Sequence, residues 1–251
     1  GVQIGVITYS FRSMQDQSAQ ALLRYCQQSG VSAIEMMGDP AEVFAGLPEN
    51  PNAERLRKVR ARDAMTNAPP LTAAEQKEKA DVMAAMAVYR QQASAWRSTA
   101  SMARFVELRK LFNEAGVTIY GFKPSAFETS STDAEIDYGM RAAKALGASH
   151  VTVELPTDTA HTARLGAAAL KHGIVVGYHQ HLQATPTLWD AALAASKGNG
   201  INLDLGHFTA AGDFDGVAFM RQHTYRITSM HIKDRLTTAN GQANLPWGTG
   251  D

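Results

Sequence analysis

The sequence predicts an α/β protein with a (β/α)8 barrel, and three observations lead to that fold class. Short segments that are apolar over most of their length recur along the chain, as expected for a parallel sheet covered on both faces. Glycines follow amphipathic segments at intervals close to the length of one helix plus one strand. The Gly-rich phosphate loop of an open dinucleotide-binding sheet is absent after the first strand, where Thr8-Tyr9-Ser10 stands instead.

Seven strands follow from the apolar segments. They are expected at residues 2–9, 33–37, 118–122, 150–154, 174–178, 201–205 and 229–233. Five glycines are each expected just past a helix end, in the left-handed conformation that a Cβ disfavours: Gly30, Gly116, Gly147, Gly173 and Gly200. Between the strands, apolar stripes such as Phe105, Leu108 and Phe112 predict helices, and one of residues 130–133 is expected to cap the helix that carries Ile136 and Met140.

One interval is much longer than the others. Gly30 and Gly116 lie 86 residues apart, roughly 55 more than a single repeat needs. The excess contains a basic segment, Pro69-Pro70 and a long helix predicted from about residue 72 to 97. We predict one domain, 1–251, with a helical insertion at about 45–100 on the catalytic rim. A lid or subunit contact and a solvated helical hairpin are the two interpretations, and Trp96-Arg97 is expected either to cap the pocket or to anchor the helix.

The C-terminal segment is too short for a closed barrel. Residues 234–251 follow the seventh strand, and a barrel without its eighth strand would leave two unpaired sheet edges. The eighth strand is therefore expected to be missing from this sequence.

Composition favours a small-molecule partner. Lys+Arg and Asp+Glu both number 24, so the net charge gives no support for binding to nucleic acid or to a membrane surface. Cys26, the single cysteine, is expected to be a buried structural thiol. The first residue is Gly1, so an export signal removed before it would not be seen, and the compartment stays open.

Candidate metal ligands stand where predicted strands end. Glu154, Asp204 and His231 occur in Val-Glu-Leu-Pro, Leu-Asp-Leu-Gly-His and Met-His-Ile-Lys-Asp. In a barrel, side chains at the carboxyl ends of the strands face one pocket. One Glu, one Asp and one His suit Mn²⁺, Mg²⁺, Co²⁺ or Zn²⁺, with a fourth ligand still to be supplied. Taken singly, Glu154 could be a surface turn residue and His231 a core histidine.

Three further side chains are candidates for binding substrate: His181, His207 and Lys233. Of the two histidines in Tyr-His179-Gln-His181, the second is expected to face the pocket and the first to pack structurally. Lys233 follows His231 by two residues and is expected to point the same way, with ion pairing to Asp234 as the alternative. No role is predicted for the remaining histidines, which are expected on the far face or the surface: His150, His161, His172 and His223.

These motifs resemble the xylose-isomerase-like barrel superfamily, and within it the sugar phosphate isomerase/epimerase group. The resemblance rests on Glu154, on Tyr-His-Gln-His181, on Asp204-Leu-Gly-His207, and on His231-Ile-Lys233-Asp234. It implies one divalent metal held by Glu154, Asp204, His231 and a second Glu on the eighth strand, with His207 contacting substrate hydroxyls. Gln180 replaces the usual Asn of the family motif.

The resemblance implies a metal-dependent sugar isomerase or epimerase that works through a metal-stabilised enediolate, with Glu154 taking the proton. Two alternatives stay open, a same-fold lyase or dehydratase acting on an oxidised sugar or inosose, and a non-catalytic sugar-binding barrel. A carbohydrate without phosphate is the expected partner, a homo-oligomer is possible, and the resemblance slightly favours export to the periplasm over the cytoplasm. An endonuclease of the same superfamily would need about three metals and a basic surface.

Overall fold

The computed structural model describes residues 3–63, 65, 69–155 and 158–251. Its main sheet has seven strands in sequential order, each parallel to its neighbours. They are β1 (Val6–Ile7), β2 (Ala33–Met37), β3 (Thr118–Lys123), β4 (His150–Glu154), β5 (Val175–His179), β6 (Asn199–Asp204) and β7 (Ile227–His231). The predicted α/β barrel class is confirmed, with the seven strands forming a barrel that lacks one strand.

Ten helices are seen in the described part of the chain. They are α1 (Ala19–Gln28), α2 (Gly38–Ala45), α3 (Ala53–Asp63), α4 (Ala73–Thr99), α5 (Ala103–Glu114), α6 (Asp133–Leu146), α7 (Thr159–His172), α8 (Asp190–Ala195), α9 (Leu205–Ala211) and α10 (Gly216–His223). Thr132 caps α6 in a reciprocal capping box with Glu135. None of these helices combines the length and apolar character that crossing a membrane requires.

The sheet is curled, and side-chain distances show it. Glu35 on β2 and His231 on β7 lie 2.7 Å apart between Oε2 and Nε2, although five strand spacings separate them along the sheet. A flat sheet would place those strands roughly 24 Å apart. The interior of the barrel therefore brings side chains from opposite strands into contact.

Several predicted boundaries were shifted, among them that of the seventh strand, which ends at His231 and leaves Lys233 beyond it. Two of the errors have identifiable reasons. Gly30, Gly116, Gly147 and Gly173 do adopt positive φ beyond helix ends, but Gly200 lies inside β6. A Cβ at Gly200 would come within 2.7 Å of the Arg226 carbonyl oxygen, so this glycine permits close packing of neighbouring backbone. The predicted first strand was also too long: β1 has two residues, and Val2 lies outside the described residues.

Four helices, α2 to α5, lie between β2 and β3. After α2 come α3 and the 27-residue α4, which begins at a capping box made by Thr72 and Glu75. Near the end of α4, the Arg97 guanidinium makes two hydrogen bonds of 2.8 and 2.9 Å to the buried Glu42 carboxylate of α2. Tyr138 of α6 donates to the same carboxylate. Arg97 therefore anchors the inserted helix to the body.

A short antiparallel ribbon of β8 (Asp234–Arg235) and β9 (Asn244–Leu245) follows β7, outside the main sheet. The Asp234 carboxylate accepts backbone N–H groups from the segment around Gly248, including Thr249 at 3.1 Å. Asp234 is thus tied to this segment rather than to Lys233. Cys26 is a buried free thiol, as expected, and burial raises its pKa to about 11.

Candidate functional site at the carboxyl ends of the strands

Four polar residues are each the last residue of a strand. Glu154 ends β4, His179 ends β5, Asp204 ends β6 and His231 ends β7. The sheet register pairs Glu154 with His179 and Asp204 with His231 on neighbouring strands. The carboxyl edge of the sheet therefore gathers two carboxylates and two imidazoles at one end of the barrel.

Three of these side chains form a compact group suited to a metal ion. His179, Asp204 and His231 each present a donor atom within 4.8 Å of the others. Asp204 is 1% exposed, and its Oδ1 accepts the backbone N–H of His207, which caps α9. In the described part of the chain its Oδ2 accepts no hydrogen bond, although the Lys233 ammonium lies 2.7 Å away as an ion pair. A buried carboxylate oxygen that attracts a positive charge and lies beside two imidazoles fits a divalent cation.

A second group lies beside the first and shares His179. Glu154, His179 and His181 offer donor atoms that also lie within 4.8 Å of one another. Glu154 Oε1 accepts a hydrogen bond of 2.6 Å from Lys123 Nζ, and Oε2 lies 3.1 Å from His181 Nε2. Burial opposes the charge on Glu154, but the hydrogen bond and charge of Lys123 outweigh it and lower the pKa of the carboxyl. Glu154 is therefore ionised at neutral pH. Its side chain is half exposed.

The predicted ligand set is thus split between the two groups. Asp204 and His231 lie together, while Glu154 lies with His179 and His181. His179, expected to pack structurally, is the residue common to both. The predicted fifth strand was placed one residue early, at 174–178, whereas β5 ends at His179. His179 consequently occupies the same strand-end position as Glu154, Asp204 and His231.

The three predicted substrate-binding residues line the rim of this site. His207 Nε2 lies 3.3 Å from His181 Nδ1, and Lys233 lies against Asp204. Arg235 Nη1 donates to His207 Nδ1 over 2.6 Å. Because a guanidinium can only donate, His207 must carry its proton on Nε2, which then donates toward His181. Because His181 accepts at Nδ1, its neutral ring carries the proton on Nε2, which lies 3.1 Å from Glu154 Oε2, so the donors of this rim point one way from Arg235 to Glu154.

His207 is held in its neutral form. Burial lowers the pKa of His207 to about 4, with the charges of Lys233 and Arg235 acting in the same direction and outweighing the attraction of Asp204. A neutral imidazole with a fixed N–H is a hydrogen-bond donor toward the pocket at physiological pH.

Glu35 supports His231 from inside the barrel. Its side chain is fully buried on β2, and its Oε2 lies 2.7 Å from His231 Nε2. Ligating histidines commonly have such a carboxylate partner on the other ring nitrogen, which fixes ring orientation. Gln180 supports Asp204 in a comparable way, because its side-chain amide pairs with both backbone polar groups of that residue, at 2.7 and 3.1 Å.

Sequence reasoning missed four residues of the site: Glu35, Lys123, His179 and Arg235. Glu35 had a usable signal, since an acidic residue inside the apolar strand Ala-Ile-Glu-Met-Met needs a buried partner. Lys123 ends β3, one position beyond the predicted strand. Arg235 had no signal, because it reaches His207 through the β8–β9 ribbon.

Two of the remaining histidines, His150 and His161, differ from expectation because both are buried. His150 was predicted on the far face or the surface, but it is 2% exposed and its ring points into the barrel. His161 is also buried, and its Nε2 lies 3.1 Å from the backbone oxygen of Phe127. His172 pairs with Asp137 on the helical layer.

Comparison with known proteins gives a fold but no close relative. No protein-family model matches the sequence, and no curated protein matches it. Among solved structures, the probable 3-DHS dehydratase AsbF of Bacillus anthracis is 14% identical, with a TM-score of 0.62, and the alignment covers 100% of this chain and 85% of that one. A sugar phosphate isomerase/epimerase from Parabacteroides distasonis is 18% identical, with a TM-score of 0.56, covering 96% and 81% of the two chains.

A third structure, an uncharacterized protein from Parabacteroides distasonis, is 19% identical with a TM-score of 0.56, and the alignment covers 92% of this chain and 75% of that one. At these identities the likeness shows the fold. The resemblance to xylose-isomerase-like barrels that the motifs indicated is confirmed at that level.

Proposed function

We propose that this protein is a divalent-metal-dependent enzyme that removes a proton from the carbon next to a carbonyl group of a sugar-like substrate, with isomerisation or epimerisation as the outcome. The observation that carries the proposal is the convergence of His179, Asp204 and His231 within 4.8 Å, beside the ionised Glu154. A proton acceptor next to a group of metal donors is what this chemistry requires.

Asp204, His231 and His179 would hold the metal, and Glu154 lies within 4.8 Å of His179, one member of that group. When bound, a divalent cation supplies positive charge beside a substrate oxygen and stabilises the negative charge that develops on deprotonation of the neighbouring carbon. The Oδ2 oxygen of Asp204 and its two imidazole neighbours are the features that fit such an ion.

Side chains of the protein would transfer the proton and orient the substrate. Glu154 takes the proton, and Lys123 keeps that carboxylate ionised and in place. His181 and His207 donate hydrogen bonds at the rim, in a direction fixed by Arg235, and thereby orient substrate hydroxyls. Lys233 contributes a positive charge next to Asp204.

Elimination is the second candidate, because the probable 3-DHS dehydratase aligns with the whole of this chain. Proton removal from carbon is a first step that elimination and isomerisation can share. Loss of a β-substituent after that step gives the lyase outcome, and reprotonation gives the isomerase outcome.

The test is solvent-deuterium exchange into a panel of unphosphorylated and phosphorylated sugars, with Mn²⁺, Mg²⁺, Co²⁺ or Zn²⁺ added in turn and products identified by mass spectrometry. We expect exchange that depends on the metal and that falls by about 100-fold or more in Glu154→Gln, since general bases contribute 10²- to 10⁴-fold. Glu128→Gln, on the exposed loop after β3, is the matched control. Metal binding without exchange from any sugar would indicate a binding protein, and full exchange in Glu154→Gln would remove Glu154 from its proposed role.

A further inference from the structure

His179 is the inner end of a buried hydrogen-bond chain that crosses the barrel. Its Nδ1 lies 2.7 Å from Asn202 Oδ1 on β6, and Asn202 Nδ2 lies 2.6 Å from Ser229 Oγ on β7. Ser229 Oγ lies 2.9 Å from His150 Nε2 at the start of β4. Beyond the ring, His150 Nδ1 lies 3.0 Å from Ser149 Oγ, which donates to the backbone oxygen of Tyr120 over 3.1 Å.

The chain is built into the barrel interior. Asn202 is fully buried, His150 is 2% exposed and His179 is 5% exposed. The ring of His150 has room because β3 carries glycine at the facing position: a Cβ at Gly121 would lie 2.9 Å from His150 Nε2. Asn202, His150 and His179 are shielded from water, so each must find its partner inside the protein, whereas Ser229 is partly buried and Ser149 is exposed.

Two directions of proton donation satisfy the internal links, and they differ at the two ends. If the Ser149 hydroxyl donates to the Tyr120 carbonyl, then His150 Nδ1–H donates to Ser149 and its Nε2 accepts from Ser229. Ser229 then accepts from the amide nitrogen of Asn202, and Asn202 Oδ1 accepts from His179 Nδ1–H. In the opposite direction donor and acceptor exchange roles in every hydrogen bond, and the Ser149 hydroxyl donates to His150 Nδ1. The bond from that hydroxyl to the Tyr120 carbonyl is then lost, because a carbonyl oxygen cannot donate.

The first direction therefore keeps one more hydrogen bond, and it sets the state of His179. With the proton on Nδ1, the neutral ring presents a lone pair on Nε2. That nitrogen lies 4.0 Å from Asp204 Oδ2, the oxygen that also has the Lys233 ammonium 2.7 Å away. The lone pair of Nε2 and the Asp204 carboxylate are thus both available to a cation between them, and Lys233 supplies the positive charge there when no metal is bound.

We propose that Asn202, Ser229 and His150 are positioning residues that hold His179 in its Nδ1–H form and aim the free Nε2 at the pocket. Asn202 in the middle is an amide, which neither gains nor loses a proton at neutral pH, so the chain orients His179 and does not conduct protons. The inferred role of Nε2 as a metal ligand rests on the proposed function, whereas the ring state of His179 does not.

The ring state is measured directly by long-range ¹H–¹⁵N correlation spectra of the metal-free, full-length protein labelled with ¹⁵N-histidine, with His179→Gln used for assignment. We expect a protonated Nδ1 and an unprotonated Nε2 on His179. A protonated Nε2 in the wild-type protein overturns the proposal, and this result needs no variant to fold.

Ser229→Ala removes the hydroxyl that directs Asn202, while Ser98→Ala removes an exposed hydroxyl at the end of α4 as the matched control. In Ser229→Ala the Asn202 amide is free to turn, so we expect the Nε2–H form of His179 to gain population and the affinity for Mn²⁺ or Zn²⁺, measured by calorimetry, to fall about tenfold to 100-fold. An unchanged His179 spectrum in folded Ser229→Ala would contradict the proposal.

The two proposals fail separately. A wild-type protein that binds neither Mn²⁺ nor Zn²⁺ but shows an unprotonated Nε2 on His179 contradicts the proposed function and supports the positioning chain. Metal binding, together with a protonated Nε2 on His179 in the metal-free protein, contradicts the positioning chain and leaves the proposed function standing.

Discussion

Two histidines separated by one residue belong to opposite kinds of hydrogen-bond chain. His179 ends the inner chain, which is buried from His179 through Asn202 to His150 apart from the partly buried Ser229, and which leads through the exposed Ser149 to a backbone oxygen of β3. His181 belongs to the rim chain, which begins at the Arg235 guanidinium and ends in a 3.1 Å contact with the half-exposed Glu154 carboxylate. The inner chain is held by hydrogen bonds among buried groups, whereas the rim chain is held by charge and lies open to a ligand.

The difference comes from where β5 stops. Alternate residues of a strand point to the same face, which would send both histidines into the barrel. Because β5 ends at His179, only that residue is held by strand geometry, and His181 lies in the following turn with its side chain 55% exposed. A one-residue difference in strand length thus separates a structural support from a side chain that can meet substrate.

The largest expected effect is on the inner chain. Asn202→Leu leaves His179 Nδ1 without a buried partner, which costs about 1–3 kcal/mol, and removes one of the two hydrogen bonds of Ser229, which costs about 1 kcal/mol more, so we expect the free energy of unfolding to fall by about 2–4 kcal/mol. His181→Ala on the rim should cost less than about 0.5 kcal/mol. Urea unfolding of both variants measures the difference. An equal loss of unfolding free energy in the two variants would contradict the distinction between the inner chain and the rim chain.

Gln180 lies between the two histidines and sharpens the comparison. Gln180→Leu keeps the side-chain volume but removes both hydrogen bonds to the backbone of Asp204, so we expect a loss of about 1–3 kcal/mol in unfolding free energy. Gln28→Leu makes the same change at an exposed position at the end of α1 and serves as the control. A loss in Gln28→Leu as large as in Gln180→Leu would contradict this assignment.

A smaller, pH-dependent effect is expected from His207 on the rim. Its folded-state pKa is about 4, below the ordinary value near 6.5, so the unfolded chain binds the proton first. Stability should therefore be fully present above about pH 6.5 and decrease as the pH falls toward 4. His207→Gln should flatten this decrease in urea midpoints, with His223→Gln as control.

Some pH dependence should remain in His207→Gln. Burial also lowers the pKa of His150 and of His179 in the inner chain. Protonation of either residue at low pH therefore also destabilises the folded state. A wild-type midpoint that does not change between pH 7 and pH 4.5 would contradict this account.

The smallest effect is expected at Lys123, and it concerns the rim carboxylate alone. Lys123→Met removes the hydrogen bond and charge that lower the pKa of Glu154, so that pKa should rise. In the deuterium-exchange assay the acidic limb of the pH profile should move to higher pH, with little change on the basic side. Lys144→Met, at the end of α6, is the control, and an unshifted limb in Lys123→Met would contradict the role given to this ion pair.

Much of the architecture could be predicted because it depends on local patterns. Apolar strands gave the bounds of β2 and β4 to the residue, and glycines at helix ends marked four of five boundaries. The position of Gly200 was mispredicted because a glycine can also permit close packing between strands. The spacing of glycines does not distinguish that role from a helix end. Asp204 and His231 were found for a physical reason: a polar residue at the end of an apolar strand must meet a partner.

The sequence by itself determined the strand-and-helix order, the sites at which polar groups leave the strands, and the end of the barrel where they gather. Only the tertiary structure decided which groups touch. Glu35 meets His231 across 196 positions of sequence, and Ser229 meets His150 across 79, because curling of the sheet brings opposite strands face to face. Such contacts depend on closure of the barrel and on the register of each strand, and no local pattern contains either.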